Sequence, residues 1–120
     1  MKTFYLTLIL FSLLLALITA NAVLVRQTSA QLEGQLLEIA AGKDPDRGIE
    51  AVRTLWEKRR TLLYLSVPTG TVKDMDDRLT ELEAAIKSKD ADGITLAVRL
   101  AVNEARRLAF AERFSTENLL

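Results

Sequence analysis

Residues Phe4 to Val25 read FYLTLILFSLLLALITANAVLV, 22 residues without a charged side chain. At about 1.5 Å of rise per residue a helix of that length is roughly 33 Å long, enough to cross the ~30 Å hydrocarbon core of a bilayer. No other stretch of the chain is apolar all round, so nothing in it offers to enclose this run as a buried core helix. The partner it predicts is the lipid bilayer, through residues 4–25.

Two readings follow. In the first, residues 1–26 are an uncleaved signal anchor and residues 27–120 form a separate domain. In the second, the run is a signal peptide cut after Ala22, where Ala20-Asn21-Ala22 supplies the small residues of a cleavage site, and the protein is secreted. The apolar run continues past that site through Val23, Leu24 and Val25 and is longer than a usual signal-peptide core, which favours the anchor. Lys2 and the amino group flank one end and Arg26 the other. The count of positive charge tips toward an N-terminus inside, so the C-terminal domain is expected outside the cytoplasm.

Setting aside Lys2 and Arg26 leaves 14 basic and 16 acidic residues in the rest of the chain, a net charge of −2. With no strong positive field, nucleic acid is not an expected partner. The chain has neither Cys nor His. That removes disulfides, thiolate nucleophiles, most zinc sites and every His-dependent triad.

Beyond the span, apolar residues recur at helical spacing. A first segment, about Gln27 to Ala41 and continuous with the span, places Leu32, Leu36 and Ile39 on one face and stops at Gly42. A second opens at Asp44-Pro45-Asp46: a capping side chain, a proline suited to the first helical position, and an acid at the positive end of the dipole. Its stripe is Ile49, Val52, Trp56 and Leu63, widened by Leu55 and Leu62, and it ends before the breaker Val67-Pro68-Thr69-Gly70. A third, from near Thr71, carries Val72, Met75, Leu79, Leu82 and Ile86 at the 3,4 spacing of a heptad seam. A fourth, from Asp90 to about Phe114, has Ile94, Val98, Ala101, Ala105 and Leu108 as its inner face. No segment alternates as a strand would. The expected fold is all-α: a transmembrane helix followed by an antiparallel four-helix bundle made of two helical hairpins.

Lys43-Asp44-Pro45-Asp46 is echoed by Lys89-Asp90-Ala91-Asp92, and Ala51-Val52-Arg53 by Ala97-Val98-Arg99, each pair 46 residues apart. Duplication of a hairpin, or convergence on good capping chemistry, accounts for the echo equally well.

Few groups suggest chemistry. Trp56 is either a ligand platform or a core anchor, and its place on the apolar stripe favours the anchor. Asp74, Asp77 and Glu81 share a helical face, with Asp76 and Glu83 nearby; a cation patch is one reading, and an acidic helix start with a solvated face is the other. Asp44-x-Asp46-x-Gly48 superficially resembles a calcium loop, but its twelfth position is Leu55 in place of Glu. Arg53, Lys58, Arg59 and Arg60 can grip phosphates or lipid headgroups, although Glu50 and Glu57 interleave them as on a mixed surface. There is no Gly-rich phosphate loop and no Ser-x-x-Lys nucleophile. No catalytic, cofactor-binding or metal-binding residue is assigned, and no cofactor is expected.

Leu55-Trp56-Glu57, the run Val72-x-x-Met75-x-x-x-Leu79-x-x-Leu82, and the terminal Asn118-Leu119-Leu120, behind an N-terminal apolar span, resemble a family of small anchored bacterial proteins of unknown function, met mainly in spore-forming Gram-positive bacteria. The resemblance covers nearly the whole chain. It departs from the family at the start of the third helix, where relatives often carry a His and this chain reads Pro68-Thr69-Gly70-Thr71. The family implies an anchored helical architecture and no reaction. The expected function is therefore that of a non-enzymatic, membrane-anchored domain outside the cytoplasm, acting through a protein partner. A small sensory or solute-binding bundle, with its crevice near Trp56, is the alternative.

Overall fold

A computed structural model describes the backbone of residues 1–119 and the side chains of all of these except Ser66 and residues 112–119. Four helices follow one another: α1 (Lys2–Ala40), α2 (Pro45–Ser66), α3 (Thr69–Lys87) and α4 (Ala91–Leu119). No strand occurs among the described residues. The apolar run and the first amphipathic segment form one unbroken helix of 39 residues. Gly34 sits inside α1 without a break, on an open face with nothing near the position of a side chain. Because α1 projects beyond the other helices, the molecule is elongated, 67 × 23 × 19 Å.

The helices pack as a bundle in which α1 touches α2 and α4, and α3 touches the same two. Each expected stripe lies in the core. Leu32, Leu36 and Ile39 of α1 are buried, as are Val52, Trp56 and Leu63 of α2 and all five seam residues of α3. Fully burying each large aliphatic or aromatic side chain contributes about 1.5–3 kcal/mol. On α4, Val98, Ala101, Ala105 and Leu108 are buried, together with Ala97 and Val102. Ile94, Ile49 and Leu55 are only partly buried at the edge, and Leu62 is exposed. The core also reaches further up α1 than the apolar stripe indicates, to Val25, Thr28 and Ser29. Ser29 Oγ donates to the Ala105 carbonyl at 2.6 Å, a buried bond that ties α1 to α4 where alanines bring the backbones together. Gly48 serves a similar end between α1 and α2: a Cβ there would come within 2.6 Å of Ile39 Cγ1.

The turns explain the echo in the sequence. At the end of α1, the Gly42 N–H bonds the Ile39 carbonyl and the Lys43 N–H bonds that of Glu38. At the end of α3, Lys89 and Asp90 make the same two bonds to Ile86 and Ala85. Both ends are Schellman motifs, which need a left-handed residue. Gly42 supplies it at φ 87°, and Lys89 at φ 53°. The next helix then begins with an aspartate cap in each case: Asp44 Oδ1 accepts from the Arg47 N–H at 3.4 Å, and Asp90 Oδ1 from the Gly93 N–H at 3.1 Å. The second turn does the same work one residue shorter, because Asp90 closes α3 and caps α4 at once. Gly93 leaves room for this, since a Cβ there would lie 2.5 Å from Asp90 Oδ2.

Two boundaries differ from the sequence reading. The Val67–Gly70 stretch breaks the helix only at Val67 and Pro68. Pro68 caps α3 with its carbonyl, which accepts from Thr71 and Val72, so Thr69 and Gly70 are already helical. And α4 runs past Phe114 to Leu119.

Candidate functional site

Five of the residues singled out in the sequence, Trp56, Arg53, Arg60, Asp76 and Glu83, meet in one seam between α2 and α3. Trp56 is fully buried, and its indole N–H donates to Asp76 Oδ1. The other oxygen of Asp76 lies 3.5 Å from Arg60 Nε, and the Arg60 guanidinium sits 5.9 Å from the centre of the Tyr64 ring. One turn further, Arg53 Nε donates to Glu83 at 2.7 Å and Arg53 Nη2 to Thr80 Oγ1 at 3.3 Å. Tyr64 and then Asp76 push the Arg60 pKa above its ordinary value; Glu81 does the same for Arg78, and Glu33 for Arg106. All three remain cations at any physiological pH.

This arrangement divides the acidic run of α3. Asp76 and Glu83 face α2 and pair with its arginines, while Asp74, Asp77 and Glu81 are exposed, with Glu81 3.0 Å from Arg78. Among the described residues, no group of three acidic side chains converges as a metal site would require. The basic run of α2 is divided too. Arg53 and Arg60 pair across the seam, Lys58 lines an open groove of about 560 Å³ with Arg47 and Glu50, and Arg59 turns to α1, where Nη1 donates to Thr28 Oγ1 at 3.2 Å. No carboxylate among the described residues pairs with Arg59.

The residues that line the described grooves do not include Trp56. A second groove, about 540 Å³, lies between the two Schellman turns, with Ile86 and Ile94 as its floor and Asp46, Lys87 and Lys89 at its rim. Glu104, unremarked in the sequence, is nearly buried on α4. Its Oε1 lies 3.4 Å from Arg107 and 4.0 Å from Arg78, and its Oε2 has no partner. Its position three residues after Ala101 and four before Leu108 was the available signal, since it interrupts an otherwise apolar face.

The most exposed apolar surface belongs to α1. Every residue from Phe4 to Leu17 is exposed, and α1 is the one described helix long and apolar enough to cross a membrane. Comparison with protein-family models, curated proteins and solved structures gives no match to this chain. The terminal Asn118-Leu119-Leu120 of the family resemblance lies outside the described side chains, and Leu120 outside the described backbone.

Proposed function

We propose that the protein is a non-enzymatic, single-pass membrane protein: residues 4–25 anchor it in the bilayer, and residues 27–120 act outside the cytoplasm as an interaction module for a protein partner. The observation that carries this reading is the exposed apolar segment Phe4–Leu17, which is continuous in one helix with the core residues of the bundle. An apolar surface of this extent on a water-soluble molecule marks a membrane or protein contact. The uncleaved form is favoured because cutting after Ala22 removes Ile18, Asn21 and Ala22, each half-buried.

In this reading the four helices run up and down in alternation. Gly48 approaches Ile39 while Arg59 reaches Thr28, so α2 returns along α1 toward the span. The same sense for α4 is supported by Ser29 meeting Ala105 while Leu37 and Ala40 share a groove with Thr95 and Val98. Membership of the family of small anchored bacterial proteins is part of the same proposal. Solute binding at Trp56 has less support, because the ring is fully buried and its N–H is already occupied by Asp76.

The test is N-terminal sequencing of alkali-washed membranes and of the secreted fraction. A chain that starts at Met1 and stays in the membrane is expected. A mature chain starting at Val23 in the medium overturns the anchor. Cross-linking in native membranes should then capture a specific protein at the surface of the bundle; recovery of the uncross-linked chain alone argues against an interaction module.

A further inference from the structure

We propose that the end of the bundle nearest the apolar segment is itself bedded in the lipid interface, with Leu62, Leu65 and Phe110 at the acyl boundary and Arg59 at the level of the lipid phosphates. This rests on the reading of α1 as a membrane anchor. It adds a second lipid contact, made by α2 and α4.

The first observation is a shortfall in length. The uncharged stretch of α1 in which every residue is exposed is 14 residues, Phe4 to Leu17. That is roughly 21 Å of helix against a hydrocarbon core of about 30 Å. The missing ~9 Å corresponds to about six more residues at the helical rise. Those residues begin at Ile18, where one face of α1 is first covered: Ile18, Asn21 and Ala22 are half-buried, while Thr19, Ala20 and Val23 stay exposed. The bilayer therefore meets protein before it has covered its own thickness.

The second observation is what lies at that level. With Ile39 beside Gly48 and Thr28 beside Arg59, Leu62 is level with Val25 and Leu65 with Ala22. With Ser29 beside Ala105, Phe110 lies more than a turn further toward the span. These three side chains are 47%, 81% and 69% exposed.

The third is charge. Residues 61–72, TLLYLSVPTGTV, contain no charged side chain and form the end of α2, the turn and the start of α3. Half-buried Tyr64 lies within this stretch, as interfacial aromatic residues do. Just below it sits Arg59, which no carboxylate among the described residues neutralises. An uncharged apolar rim over a guanidinium is the pattern of a surface that enters the headgroup layer by about 5–10 Å.

The absence of cysteine makes the test direct. Nitroxide labels are placed one at a time through Leu65→Cys, Phe110→Cys, Leu96→Cys and Leu10→Cys on the full chain. The protein is reconstituted in phosphatidylcholine–phosphatidylglycerol vesicles, and relaxation by oxygen is compared with relaxation by a water-soluble nickel chelate. Circular dichroism verifies that each variant is helical. The expected oxygen-to-nickel ratio at positions 65 and 110 is severalfold above that at 96, which is exposed at the far end, and approaches that at 10. Ratios at 65 and 110 equal to that at 96, with the label at 10 in lipid, overturn the interface contact and leave the anchor standing. Labels at 65 and 110 shielded from both reagents overturn it in favour of a second protein chain on the patch. A water-exposed label at 10 overturns the anchor and the interface contact together.

Discussion

Replacing Lys89 with glycine is expected to make the protein more stable, although it removes a charge and a side chain from a turn. Lys89 occupies the left-handed position of the second Schellman motif at φ 53°, the position that Gly42 fills in the first. A residue with a Cβ is disfavoured there by roughly 1–2 kcal/mol. Glycine escapes that penalty but loses more backbone entropy on folding, about 0.5–1 kcal/mol. The difference leaves a net gain of about 0.5–1 kcal/mol for Lys89→Gly. The side chain of Lys89 is exposed and makes no bond that the substitution would break. In a domain of this size such a gain raises Tm by roughly 2–6 °C. The assay is a thermal melt of the full chain in detergent micelles, followed by circular dichroism and by fluorescence. Trp56 is the only tryptophan and is fully buried, so its emission reports the core alone. Lys89→Ala is the control: it removes the charge and keeps the Cβ, and should not gain. Gly42→Ala should lose about 1 kcal/mol, the same penalty read in reverse. If Lys89→Gly melts no higher than Lys89→Ala, backbone strain at this turn is not what limits stability and the reasoning fails.

Two other glycines separate propensity from packing. Gly34→Ala should add about 0.5–1 kcal/mol, because its face of α1 is open, whereas Gly48→Ala should cost about 1–3 kcal/mol by driving a methyl into Ile39; melts of the two variants that shift in the same direction would contradict this. Trp56→Ala should cost roughly 3–5 kcal/mol, read by circular dichroism, and a variant that melts unchanged refutes its place in the core. Asp44→Ala and Asp90→Ala should each cost about 0.5–2 kcal/mol and the Asn variants less. Calcium should leave all four melts where they are; a rise in Tm that the Asn substitutions abolish would mean a bound ion and not a cap.

Most of the helix pattern was legible because it rests on spacing that local chemistry enforces. The 3,4 repeat from Val72 to Ile86 and the aspartates at Asp44 and Asp90 need no knowledge of the partner helices, and each lies where its pattern places it. What escaped depends on the partner. Thr28 and Ser29 are core residues only because α4 offers small side chains and a carbonyl at Ala105 and α2 offers Arg59; a hydropathy pattern passes over both. Glu104 escaped in the same way, since its burial is tolerated through Arg78 and Arg107 on two helices. The acidic run of α3 was visible, but which members turn inward was not. That follows from the positions of Trp56, Arg53 and Arg60 across the seam.

The unbroken α1 has a mechanical consequence. A flexible linker would let the domain swivel freely about its anchor. Here the proposed membrane segment and the core residues Leu32, Leu36 and Ile39 belong to one helix, so they share a single rotational phase. Each residue of an α-helix advances that phase by about 100°. If residues 4–25 anchor the protein as proposed, the direction each face of the bundle looks is therefore fixed by which face of the apolar segment meets its surroundings. Inserting one residue between Leu17 and Val25 would turn the domain by about a quarter of a revolution relative to the span, whereas inserting seven would nearly restore its bearing. In the proposed anchor, whatever sets the azimuth of the apolar segment thus also aims the bundle.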